Sequence, residues 1–195
     1  NDKFFVAHTI NEIDSQKTLE SLYIRPITTL FDKNSGKVSE DKNYTFSLVI
    51  DIKNRGTESL KKLSYELQSF PKYFDRTVNP RAVQIIISGD RGPIDSWKNY
   101  PSFIYFDGRP FEKYDSVTLA KVAMVSDNYT KYATSVPPAP DRITSITNQV
   151  HLWKKPFRLW GAPDNEQAWR LLKDAGVDII NTDKVEECHK FFEKN

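Results

Sequence analysis

The chain has 195 residues, of which 38% are hydrophobic and 13% aromatic, so it is a folded chain rather than a disordered one. Its 28 basic and 26 acidic side chains leave a formal net charge of +2, which gives no electrostatic argument for a nucleic-acid partner or an anionic membrane. No run of about 18 apolar residues occurs, so we expect no transmembrane segment.

The single cysteine, Cys188, excludes an internal disulfide framework and a cysteine-rich metal site. The chain begins at Asn1 rather than at a methionine and shows no signal-peptide pattern, so we expect that an export segment or a longer N-terminal part has been removed, or that the sequence was cut at this point. The compartment stays open; of the alternatives, a periplasmic or secreted one is favoured.

Short apolar runs alternate with helix-like segments along the chain. After a first apolar run at 4–7, strands are predicted at 46–53, 82–88, 102–107, 120–126, 157–160 and 177–180. Apolar side chains at helical spacing predict helices around 57–70, with Thr57 as a possible cap, around 143–153, at 165–175 with Gly176 as its C-cap, and at 185–192. A proline-rich stretch at 136–140 predicts a loop.

This alternation predicts an α/β fold with a parallel sheet, and the near-continuous apolar strands agree, because parallel strands are covered on both faces. A barrel and a doubly wound open sheet both fit. No Gly-x-Gly-x-x-Gly follows a strand, which weakens a dinucleotide-binding sheet. The barrel is favoured because acidic residues end several strands, where a barrel gathers its active site: Asp51, Asp90, Asp107, Asp127 and Asp183.

Carboxylates gathered in this way can hold a hard cation such as Mg2+ or Ca2+. Asp90 and Asp183 each precede a loop or helix, so a cap or turn is the better interpretation for them. Asp51 differs, because Ile52 and Lys53 continue the strand beyond it. Side chains two apart on a strand share a face, so Asp51 and Lys53 are predicted to point together into the barrel mouth.

Other candidates are less specific. His8 ends the first apolar run and could serve as a general acid or base, a common role of histidine, although a lone histidine there is more often structural. Trp160 fits either the core or an apolar wall for a ligand. Ser88 and Arg91 belong to a glycine-bracketed stretch that could offer backbone amides and a guanidinium to a phosphate. Asp127 is a further substrate-binding candidate.

Several segments resemble a known family. They are 157–165 (FRLWGAPDN), 168–172 (AWRLL) and 175–183 (AGVDIINTD), with weaker likenesses at 6–8, 18–26, 87–90 and 106–109. Together they resemble the glycerophosphodiester phosphodiesterases of the phosphatidylinositol-specific phospholipase C-like superfamily, in particular the branch called altered inheritance of mitochondria protein 6. The likeness runs over nearly all of the chain.

The resemblance implies a TIM-type barrel that cleaves a small-molecule phosphodiester with the help of a divalent cation, Mg2+ or Ca2+. By the same resemblance, His8 matches the second catalytic histidine and Asp51 a metal-binding acid. Lys53 matches the basic residue that contacts phosphate, and Trp160 the aromatic side chain that lines the substrate pocket.

One part of the family pattern is missing. The first catalytic histidine and a Glu-x-Asp pair of metal ligands should precede His8, but only seven residues do so here and they contain no such motif. We therefore expect residues 1–195 to form a single barrel domain that is incomplete at its N-terminus, from the end of the second strand through the eighth strand and final helix.

Three hypotheses follow. The first is a metal-dependent phosphodiester hydrolase-like protein that acts on a glycerophosphodiester or a phospholipid headgroup. The second is a catalytically inactive barrel that binds a phosphorylated or polyol ligand. The third is a homo-oligomer in which a second copy supplies the missing strands, because an open sheet leaves unpaired edges.

Overall fold

The centre of the fold is a curled parallel sheet. The computed structural model describes residues 3–41, 44–133 and 140–194, and its six strands lie side by side in chain order, all parallel. They are β1 (Ser47–Ile52), β2 (Gln84–Gly89), β3 (Ile104–Gly108), β4 (Val122–Asn128), β5 (Phe157–Trp160) and β6 (Ile179–Ile180). Because every neighbouring pair is parallel, all carboxyl ends lie at one edge of the sheet.

Helices fill the connections between these strands. In chain order the α-helices are α1 (Arg25–Lys33), α2 (Gly56–Leu67), α3 (Pro71–Phe74), α4 (Ser116–Ala120), α5 (Pro140–His151), α6 (Glu166–Asp174) and α7 (Val185–Lys194). A π-helical turn, Glu20–Ile24, leads into α1, and a 3-10 helix, Ile94–Asn99, lies between β2 and β3. The predicted α/β class with a parallel sheet is confirmed, and the curled sheet has the form of half a barrel. None of the described helices is both long and apolar enough to cross a bilayer.

The two faces of the sheet have different partners because side chains alternate along each strand. On the outer face, Ile85, Ile87 and Phe106 are fully buried in the main hydrophobic core, together with Leu60 and Leu63 of α2. On the inner face, Val49 is 39% exposed, since β1 is an edge strand that pairs only with β2 within the described residues. The helices thus cover the outer face, and the inner face lines the curl.

The start of α2 shows how the sheet edge and the helix layer are joined. Arg55 precedes the helix in the left-handed conformation (φ 54°), and the first helical amide, that of Gly56, donates a hydrogen bond of 2.8 Å to the Asp90 carboxylate just past β2. The prediction that Thr57 caps this helix is wrong, because Thr57 is already its second residue. The interpretation of Asp90 as a capping residue is confirmed, although it caps the preceding helix rather than a following one.

The apolar run at 4–7 does not join the sheet. Phe5 forms one antiparallel bridge with Thr18, and the amides of Val6 and Leu19 donate to the carbonyls of Lys17 and Phe4. The chain therefore turns back and pairs with itself over a few residues, instead of lying along β1 as the end of a barrel strand would. Residues 136–139 of the predicted proline-rich loop lie outside the described residues.

The contact between Asp90 and α2 predicts a measurable effect on stability. We expect Asp90→Ala to lower the free energy of unfolding by about 1–2 kcal/mol, because it leaves the Gly56 amide without its acceptor. Asp90→Asn should lose much less, since its amide oxygen still accepts. Urea denaturation measures both variants against Asp95→Ala, an exposed carboxylate on the next segment. Equal losses for Asp90→Ala and Asp95→Ala would show that the cap contributes nothing.

Candidate functional site

A polar layer crosses the inner face of the sheet near its carboxyl edge. In the ladder, Asp51 of β1 is the partner of Ser88 of β2, and Ser126 of β4 is the partner of Arg158 of β5. Asp107 of β3 lies between these two pairs and is hydrogen-bonded to both serines. The layer two residues lower is apolar at Val49 and Ile86. Chemistry at this face is therefore confined to the strand ends.

Asp107 is the centre of this layer and is fully buried. Its Oδ2 accepts hydrogen bonds of 2.7 Å from the hydroxyls of both Ser88 and Ser126, and lies 2.9 Å from Nη1 of Arg109. Its Oδ1 is buried and has no hydrogen-bond partner among the described residues. Charge-assisted hydrogen bonds of this kind are strong, so Asp107 ties three neighbouring strands together from the inside.

Asp51 and Lys53 project from the end of β1 as the sequence predicts. Lys53 Nζ lies 2.7 Å from Asp51 Oδ2, and each side chain is about half exposed. The opposite oxygen of Asp51 fits tightly against Gly89, because a Cβ built on Gly89 would lie 2.1 Å from Oδ1. Gly89 also has φ +71°, a conformation that glycine adopts at little cost. The Asp51 carboxylate therefore occupies space that only a glycine leaves open.

Trp160 and Arg158 project from β5 on the same side, since they are two residues apart. Trp160 is 39% exposed, so it lies at the edge of the sheet, where a ligand could contact it, rather than in the core. Arg158 is half-buried, and its Nη2 donates to Oδ1 of Asn181, just past β6. Burial lowers the pKa of Arg158, while Asp107 and Asp51 act in the opposite direction.

Ser88 and Arg91, both predicted to bind substrate, have partners inside the protein. The Ser88 hydroxyl belongs to the Asp107 network. The Arg91 guanidinium forms two hydrogen bonds with Glu112, of 3.0 and 2.7 Å, and lies 5.1 Å from the centre of the Trp97 ring. Burial alone would raise the pKa of Glu112, but hydrogen bonds from Arg91 and Tyr114 hold it below its usual value.

The structure does not bring Asp127 to the inner face. Its ladder partner is Leu159, which is buried in the core on the helix side. The Asp127 carboxylate accepts hydrogen bonds of 2.7 Å from Lys131 and from Tyr132. Burial favours a raised pKa for Asp127, but these hydrogen bonds lower it overall. This geometry is that of a carboxylate that fixes the turn after β4.

His8 belongs to the segment before α1, outside the strands that carry the polar layer. It is exposed, follows the Phe5–Thr18 bridge, and its backbone amide donates to the Glu12 carboxylate. Within the described part of the chain, no hydrogen bond or ion pair connects the His8 side chain to Asp51, Lys53 or Trp160.

The divalent cation stays a prediction, with Asp51 as its candidate ligand. Among residues 3–41, 44–133 and 140–194, no group of three or more histidine, cysteine, aspartate and glutamate side chains is arranged to hold a metal ion. Asp51 contributes one carboxylate, and one of its oxygens is already paired with Lys53. Because Mg2+ keeps several water ligands and often takes only one or two protein carboxylates, Asp51 is the described side chain that could contribute to such a site.

Sequence reasoning missed Ser126, Arg109 and Arg158, and counted Asp107 as a strand-end acid without giving it a role. A signal for Arg158 was present, because it precedes Trp160 by two residues and so shares its face. No comparable signal marks Ser126. Strand β4 is buried or half-buried along its whole length, so alternation does not show which side its polar end will take.

Comparisons with known proteins agree with the motifs. Residues 1–96 match the family described as AIM6-like phosphodiesterase domain, and residues 156–186 match the glycerophosphoryl diester phosphodiesterase family. The first segment contains His8, Asp51, Lys53 and Ser88, and the second contains Trp160.

A curated relative matches along almost the whole chain. The altered inheritance of mitochondria protein 6 homolog of Arthroderma benhamiae is 23% identical over an alignment of 225 residues. The alignment covers 98% of this chain and 71% of the relative. The resemblance that the motifs indicated is confirmed: this chain is similar to the altered inheritance of mitochondria protein 6 branch of the glycerophosphodiester phosphodiesterase-like proteins.

Proposed function

We propose that this chain is a phosphodiester hydrolase-like protein that acts on a glycerophosphodiester or a phospholipid headgroup. The observation that supports this most is the placement of Asp51, Lys53 and Trp160 on one inner face, at the carboxyl edge of a curled parallel sheet. Active sites of barrel enzymes are built at that edge. The two phosphodiesterase family matches support the same reaction class.

Each of these residues has a proposed role. The Lys53 ammonium binds the phosphate as a point charge, and Asp51 holds it in place from 2.7 Å away. The indole of Trp160 packs against the apolar part of the glycerol or headgroup. His8 is proposed as the general acid or base. A divalent cation, Mg2+ or Ca2+, remains part of the proposal with Asp51 as one ligand, and the roles of the other residues do not depend on it.

The second candidate is a catalytically inactive barrel that binds a phosphorylated or polyol ligand. Two observations favour it: the described residues contain no group of metal-ligating side chains, and among them no hydrogen bond or ion pair links the His8 side chain to Asp51, Lys53 or Trp160. Calorimetry with glycerol 3-phosphate, run beside a turnover assay, separates the two candidates. Binding without turnover supports the inactive barrel.

The possible homo-oligomer also stays a prediction. Within the described residues, β1 and β6 each have a neighbouring strand on one side only. Unpaired strand edges are templates for a second chain. A monomer by light scattering at assay concentrations would contradict this version.

The hydrolase proposal predicts turnover of a simple diester. Incubating the chain with glycerophosphocholine and Mg2+ or Ca2+ should release glycerol phosphate and choline, because water displaces the choline alcohol from phosphorus. Chelation of the cation should abolish the release. If neither product forms at any metal concentration, the hydrolase proposal is wrong for this chain.

Lys53→Ala should lose activity without losing stability. We expect kcat/KM to fall by about a hundredfold, because a charge that stabilises the transferring phosphate is removed. The free energy of unfolding should change by less than about 1 kcal/mol, since the Lys53–Asp51 pair is half exposed. Lys61→Ala, an exposed lysine on α2, is the matched control for both measurements. A large drop in thermal stability for Lys53→Ala alone would make Lys53 structural.

Gly89→Ala tests the placement of Asp51. An added Cβ would overlap Asp51 Oδ1 and the Ile52 carbonyl, so both must move and activity per folded molecule should fall. Gly36→Ala is the control, because Gly36 has φ +89° but its added Cβ would meet nothing closer than 4.0 Å. Both variants should lose about 1 kcal/mol from backbone strain, and Gly89→Ala more. Equal activity in the two variants would show that Asp51 need not stay where it is.

A further inference from the structure

Arg158 is placed where a ligand at the sheet edge would meet it. It lies on the inner face of β5, beside Ser126 of β4 and two residues before Trp160. Its guanidinium is half-buried, and burial lowers its pKa, with Asp107 and Asp51 acting to raise it and Arg109 to lower it further. It therefore shares the face that carries the proposed Lys53, Asp51 and Trp160 site.

Arg158 has a neutral hydrogen-bond partner, whereas the neighbouring arginines are paired with carboxylates. Arg91 lies 2.7 Å from a Glu112 oxygen, and Arg109 lies 2.9 Å from an Asp107 oxygen. Arg158 instead donates to the neutral side-chain oxygen of Asn181. No carboxylate lies within 4.0 Å of its guanidinium among the described residues. A half-buried cation without a close anion is costly, so this arrangement calls for an explanation.

We propose that Arg158 is an anion-binding residue of this face, which receives the phosphate of the ligand, and that Asn181 is its positioning residue. An arginine has five N–H donors, and the bond to Asn181 leaves others to grip two phosphate oxygens at once. A neutral acceptor fixes the orientation of the guanidinium without cancelling its charge. This inference rests on the proposed function, and it extends it to a second cation on the opposite side of the mouth from Lys53.

A purely structural role of Arg158 predicts a different result. In that case Arg158 would only offset the charges of Asp51 and Asp107 from a distance, and a carboxylate in place of Asn181 would strengthen the arrangement without affecting any ligand. The two roles therefore differ most clearly in Asn181→Asp, which keeps the size of the side chain and adds one negative charge beside the guanidinium.

The experiment measures binding of inorganic phosphate and of glycerol 3-phosphate by calorimetry, with thermal stability alongside. We expect Arg158→Gln to weaken binding by about tenfold to a hundredfold, as for the loss of a charge-assisted bidentate contact. Arg158→Lys should lie in between, because it keeps the charge but loses the fork. Asn181→Asp should weaken binding although Arg158 is retained, with thermal stability unchanged or raised. Arg81→Gln, an exposed arginine before β2 at the other end of the sheet, should bind as the unaltered chain does.

The outcomes separate this inference from the proposed function. If the unaltered chain binds neither anion, or if Arg158→Gln and Asn181→Asp bind both as tightly as it does, the inference is overturned. Should Arg158→Gln fail to fold, Asn181→Asp decides alone. Phosphate binding that depends on Arg158, without cleavage of glycerophosphocholine, supports the inference while the hydrolase proposal fails. If the chain cleaves glycerophosphocholine and Arg158→Gln leaves the KM unchanged, the hydrolase proposal is supported and the inference about Arg158 fails.

Discussion

The buried carboxylate of Asp107 is the contact on which the geometry of this face depends. A charge taken out of water is stable only when donors surround it, and here a hydroxyl from the strand on each side and a guanidinium from the following loop converge on one oxygen. Since Ser88 is the ladder partner of Asp51 and Ser126 that of Arg158, the same three contacts set the spacing between the two ends of the proposed site. The free oxygen Oδ1 is the one part of the network that the described residues leave unsatisfied.

The charged groups near the sheet edge fall into two kinds. In the loops after β2 and β3, Arg91 pairs with Glu112, and burial together with Glu112 raises the pKa of the Tyr114 hydroxyl, while Nε of Arg91 is buried without a partner among the described residues. The Glu112 carboxylate also accepts the amide of Arg109, so this group holds the loop that delivers Arg109 to Asp107. At the mouth, by contrast, the Asp51–Lys53 pair is half exposed and Arg158 faces a neutral amide. The Arg91–Glu112 pair thus holds the loop after β3, whereas Lys53 and Arg158, the cations proposed to bind phosphate, lie on the inner face at the carboxyl edge.

The sequence predicted the elements well and the partners poorly. The strand at 157–160 has the predicted bounds, α6 lies within one residue of the predicted 165–175 at each end, and Gly176 adopts φ +78° after that helix. These features are local, so spacing and residue type suffice. Asp90 capping the helix 34 positions earlier is not local, which is why Thr57 was the wrong choice. The apolar run at 4–7 was expected to end a barrel strand because its composition suits a strand. It pairs instead with Lys17–Leu19, a partner that the composition of the run does not indicate.

Asp127 and Ser126 show why the face of a strand is harder to predict than its existence. In an antiparallel sheet with one wet face, alternating polarity shows which residues point to solvent, but β4 is buried on both faces and its pattern is continuous. A shift of one position along β4 then decides whether a side chain points toward the helix layer or toward the inner face. The ladder to β5 resolves it, because Leu159 belongs to the core and Arg158 to the opposite face, so Asp127 must follow Leu159 and Ser126 must follow Arg158. The same parity argument places Trp160 beside Asn128, on the face that carries Arg158. A site of this kind is assembled by register between strands, and it becomes visible only when neighbouring strands are considered together.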